Sequence, residues 1–131
     1  MARASANAEG NALIGMTQGA AGTYTGACAF IGLNATDPGT TGAAEIAGGA
    51  PAYSRVAISW GTYAAGSIPN NTSMSLNVPT TTTVAYFSTW GAISGVGTGG
   101  VQIGGALNAS VTFNSQGVLT IASGGLTLTA S

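Results

Sequence analysis

Turn-forming residues interrupt this chain about every 8–12 residues, and the stretches between them are short, apolar and mostly alternating. That punctuation leaves little room for helices and favours short antiparallel strands. Thr72–Val78 is the cleanest case. Met74, Leu76 and Val78 fall on one face, and Ser73, Ser75 and Asn77 on the other, which is the period of two of a half-buried strand. Tyr53–Trp60 also alternates, with Val56, Ile58 and Trp60 on one face and Tyr53, Arg55, Ala57 and Ser59 on the opposite one. Thr83–Trp90 is apolar on both faces, with Val84, Tyr86 and Trp90 against Ala85 and Phe87. Such a strand is expected inside a sheet or under a partner.

Gly26–Leu33, Ala44–Ala47, Val101–Leu107 and Val111–Phe113 add further strands, and Val118–Ile121 with Leu126–Leu128 reads as a closing hairpin around Ser123-Gly124-Gly125. Asp37-Pro38-Gly39 marks a turn, because proline presets φ at the second position and glycine supplies positive φ at the third. Gly48-Gly49-Ala50-Pro51 breaks the chain again. About eight strands at this spacing predict an all-β fold, a two-sheet antiparallel sandwich of jelly-roll type, with an immunoglobulin-like sandwich as the alternative. Residues 1–25 read as an N-terminal arm or short helix, and residues 26–131 as the sandwich domain. In the arm Ser5 offers a cap, Glu9 suits the first turn, and Leu13, Ile14 and Met16 form an apolar cluster. Gly10 and Gly15 each weaken that helix by about 1 kcal/mol.

Charge is nearly absent. Only 4% of the 131 residues are charged, with no Lys and no His, against about 25% in ordinary soluble domains. Disorder does not follow, because disordered chains combine low hydrophobicity with high net charge, whereas this one is 45% hydrophobic with a net charge of −1. The 12 Ser and 18 Thr supply neutral polar surface. They fall short of the roughly 25–35% charged surface that keeps free domains apart, and no Lys guards the strand edges. An edge or face buried by partner subunits, in several copies, is therefore expected. Clustered Lys and Arg for nucleic acid are missing. No apolar run reaches the about 18 residues of a membrane-spanning helix, and the strands are too few for an outer-membrane barrel. The opening MARASANAEGNALIGM lacks the apolar core of a secretory signal.

Catalysis has little to work with. Without His or Lys the usual general bases are missing. Asp37 and Glu45 could form a carboxylate pair of the glycosidase kind, but a turn start and a polar strand account for them more simply. A salt bridge from Arg55 to Glu45 or Asp37, within the chain or across a subunit boundary, is expected instead. Gly95–Gly100 matches G-x-G-x-x-G but precedes a strand rather than a helix, so it reads as a surface loop. Cys28 reads as a buried thiol. Three carboxylates and one Cys do not make a zinc site, and no cofactor is indicated. Asn34, Asn70, Asn71 and Asn108 fit a glycosylation pattern by composition alone. The residues expected at an interface are Arg55 first, Tyr53 on its face, Glu45 and Asp37 as its partners, and Arg3 and Glu9 anchoring the arm.

The ordered series Asp37-Pro38-Gly39-Thr40-Thr41-Gly42, Glu45, Gly48-Gly49, Pro51-Ala52-Tyr53-Ser54-Arg55 and Trp60-Gly61 resembles a family of small tailed-bacteriophage structural proteins, frequent in actinobacteriophages. Val78-Pro79, Thr82-Thr83-Val84, Trp90, Phe113 and Gln116-Gly117 continue the resemblance, which covers about residues 28–131. It implies a non-enzymatic β-sandwich of the virion, made in the host cytoplasm. A capsid decoration or cement protein is the favoured expectation, binding between major capsid proteins and stabilising the mature head by mass action. The alternative is a minor tail or tail-fibre protein that binds a host receptor or glycan, with Tyr24, Tyr63 and Trp90 stacking on sugar.

Overall fold

Inward-pointing aliphatic residues on facing strands organise the molecule, and the computed structural model describes residues 28–95 and 101–129. Eight strands follow in chain order: β1 (Phe30–Asn34), β2 (Val56–Ala57), β3 (Ser67–Pro69), β4 (Met74–Val78), β5 (Thr82–Trp90), β6 (Val101–Phe113), β7 (Gly117–Ile121) and β8 (Thr127–Thr129). All pairings are antiparallel, and the described residues contain no helix. One layer is a four-stranded sheet in the order β2-β1-β5-β6. The other layer is split into two ribbons, β4–β7 and β3–β8.

The β4–β7 ribbon packs on the sheet through the alternation seen in Thr72–Val78. Met74, Leu76 and Val78 are buried against Ile31 and Leu33 of β1 and Val84 of β5. In the ribbon itself Met74 stands opposite Ile121 and Leu76 opposite Leu119, so β7 contributes its own inward pair. Burying each such side chain is worth about 1.5–3 kcal/mol, more than the net value of one ladder hydrogen bond. A smaller cluster of Cys28, Ile68 and Leu128 seats the β3–β8 ribbon, with Trp60, Tyr63 and Ile103 around it.

Several expected elements change. Tyr53–Trp60 pairs as a strand only at Val56–Ala57, opposite Ile31 and Phe30, because its ends serve other contacts. Trp60 instead bridges Asn70, and its indole Nε1 donates to the Cys28 carbonyl at 2.8 Å. Ala44–Ala47 shrinks to one bridge, Glu45 to Asn34. The expected closing hairpin does not form. β7 pairs with β4 and β8 with β3, so the intervening turn crosses between ribbons. Asn70 holds that crossing: its Nδ2 donates to the carbonyls of Thr72 (2.8 Å) and Ala122 (3.0 Å), and its Oδ1 accepts from the Leu126 N–H (2.9 Å). β3, set among Ala, Gly and Ser, carries no strand signal of its own and forms because β8 reaches it.

β5 is the inner strand that its two apolar faces implied, lying between β1 and β6. Its register with β6 slips after Val84↔Val111 and resumes at Tyr86↔Ala106. Leu107–Ser110 is therefore an excursion opposite Ala85, and it separates the two runs expected at Val101–Leu107 and Val111–Phe113. The slip also redirects β5. Val84 is in the core, while Ser88 and Trp90, of the same parity, join a polar network elsewhere. Such irregularities bend a strand and re-aim its side chains. The arm or short helix expected over residues 1–25 and the loop after Gly95 lie outside the described residues.

Candidate interface sites

Three of the expected interface residues meet in one network. The bridge from Asn34 to Glu45 lays the acidic segment against β1. The Gly48–Tyr53 turn, closed by Tyr53 N–H to the Gly48 carbonyl at 2.8 Å, returns Tyr53 to the same place. Arg55 follows two residues later, just before β2. Its Nε donates to Glu45 Oε2 at 2.7 Å and its Nη2 to Oε1 at 2.9 Å, a bidentate pair. Nη1 donates to the carbonyls of Ala92 (2.9 Å) and Gly95 (2.7 Å). The guanidinium carbon sits 3.6 Å from the centroid of the Trp90 ring. A cation over an aromatic face gains about 2 kcal/mol or more when water is excluded, and Arg55 is only 6% exposed.

The network continues through Tyr53 and Trp90. Tyr53 Oη accepts from the Leu33 N–H and donates to Glu45 Oε2, both at 3.0 Å. Burial pushes the Tyr53 phenol well above its ordinary range, and the Glu45 charge adds to the shift. The Trp90 indole donates to Ser88 Oγ at 2.8 Å, Ser88 donates to Asn34 Oδ1 at 2.7 Å, and Asn34 Nδ2 donates to the Ala43 carbonyl at 2.9 Å. No buried side-chain nitrogen or oxygen among the described residues lacks a partner. The arrangement is closed: its acid is held by its base, and its phenol resists ionisation. It positions two loops, the acidic segment and the turn after β5, rather than presenting a reactive group.

The remaining expected residues stand elsewhere. Asp37 is exposed, and its Oδ1 accepts from the Gly39 N–H at 2.9 Å within its own turn. Arg55 thus pairs with Glu45 inside the chain and not with Asp37. Arg3 and Glu9 lie outside the described residues. Trp90, considered for sugar stacking, is 2% exposed, with Arg55 over its ring and the Gly42 backbone close against its six-membered ring. Tyr63 packs on the Cys28 cluster, and Tyr24 is among the residues not described. Trp90, Ser88 and Asn34 were missed as members of the network. A signal existed in Gly32, a glycine within a strand, which marks a close approach: a Cβ there would lie 2.5 Å from Glu45 Oε2 and 3.0 Å from Tyr53 Oη.

A second feature has no charge at all. A cleft of about 350 Å³ borders the β6 excursion and is lined by Ile31, Phe87, Leu107, Ile121 and Leu126. Asn108 and Thr127 add polar side chains to the lining. A shallower depression of about 240 Å³ lies over the charged network and is edged by Ile93. Cys28 is buried away from both, and burial pushes its thiol above the ordinary value against the opposing Thr89 hydrogen bond. No group of three metal-ligating side chains occurs among the described residues, and they form no helix long and apolar enough to cross a membrane.

Compared with known families, the chain matches the one described as podophage GP4 fiber I protein gp80 over residues 4–129. Comparisons with curated proteins and with solved structures give no match.

Proposed function

Because the chain belongs to the family of podophage GP4 fiber I protein gp80, and so is a structural protein of a phage virion, we propose that it is a subunit of a fibre on the particle. The family match over nearly the whole chain is the observation that carries this reading. The molecule is consistent with it. Hydroxyl pairs on the outside bridge neighbouring strands, Ser75 to Thr120 and Thr83 to Thr112, and supply uncharged polar surface. Its one described salt bridge is internal.

The role is non-enzymatic on this reading. Glu45 is paired with Arg55 and Asp37 caps its own turn, so the two carboxylates do not converge on a substrate. The partners are then neighbouring virion proteins of the fibre and tail, with no nucleic acid and no membrane. A place on the head, against the major capsid protein, is the competing location. Gold-labelled antibody against the protein, imaged on intact virions, tests the choice: label on appendages is expected, and label distributed over the capsid surface overturns it.

A further inference from the structure

We draw no further inference here: the strongest candidate, the cleft bordering the β6 excursion and lined by Phe87, Leu107, Ile121 and Leu126, carries no proposal because nothing in the structure shows what covers it.

Discussion

The Arg55 guanidinium lies over the Trp90 ring, 3.6 Å from its centroid, and both side chains are almost fully buried. Glu45 holds the other edge of the cation. Removing one member of a buried pair leaves the other uncompensated and costs about 3–5 kcal/mol. Arg55→Ala should therefore destabilise the isolated domain by about 3 kcal/mol, toward the lower end because the Glu45 side chain keeps 22% exposure. Arg55→Lys should recover little, since an ammonium cannot grip the carboxylate bidentately and lie flat on the indole. Urea unfolding checks both. An Arg55→Ala variant as stable as wild type would return Arg55 to a purely external docking role.

Two glycines make that network possible. Gly32 lies under Glu45, Tyr53 and Trp90, and Gly42, at φ +75°, packs on the Trp90 ring. Gly32→Ala places a methyl where the Glu45 carboxylate sits, so the salt bridge must shift. Gly42→Ala adds a clash with Trp90 to a backbone conformation that side chains resist. Each substitution should cost about 1–3 kcal/mol, and tryptophan fluorescence should report the displaced Trp90 indole. An unchanged emission spectrum with unchanged stability would contradict the packing.

Much of the sandwich is written in local pattern, and the parts that are not share a cause. Thr72–Val78 and Thr83–Trp90 are legible because each side chain's direction follows from a period of two. The Glu45–Arg55 pair is legible because so few charges compete for partners. Val118–Ile121 and Leu126–Leu128 look like a hairpin because a Gly-Gly turn separates them. Their true partners, β4 and β3, are selected by burial of Leu119 against Leu76 and Leu128 beside Ile68, and that selection is invisible in the turn. Trp90 reads as a surface or core aromatic, because its place over Arg55 depends on the pairing of β5, whose register with β6 shifts again between Thr89 and Trp90. The cleft draws Leu107 and Asn108 from the β6 excursion, so no residue pattern announces it.

Asn70 carries the crossing between the two ribbons. It is 1% exposed, and its amide satisfies three backbone groups. Asn70→Ala should strand those groups and destabilise by about 2–3 kcal/mol, whereas Asn71→Ala, at the exposed neighbour, should change stability by less than about 0.5 kcal/mol. Thermal melts of the two variants side by side would show whether the buried amide matters as the geometry requires.

Tyr53 sets an alkaline limit. Its phenol is raised in the folded chain, chiefly by burial, while in the unfolded chain it ionises near about 10. Above that pH the unfolded state has lost its proton and the folded state has not. The Tyr53 contribution is thus fully present below about pH 10 and falls as pH rises beyond it. Absorbance titration should show at least one tyrosine that ionises only as the fold opens, and Tyr53→Phe should remove that late component. A titration in which all tyrosines ionise with the native fold intact would contradict this. The Cys28 thiol, buried and also raised, should react with a thiol reagent only after denaturation.

The central claim, that this family member is a fibre subunit, is tested most directly by a cryo-EM reconstruction of the whole virion. The account predicts density for this β-sandwich in an appendage attached to the tail. Density for it between capsomers on the head, with none in the tail apparatus, would contradict that claim.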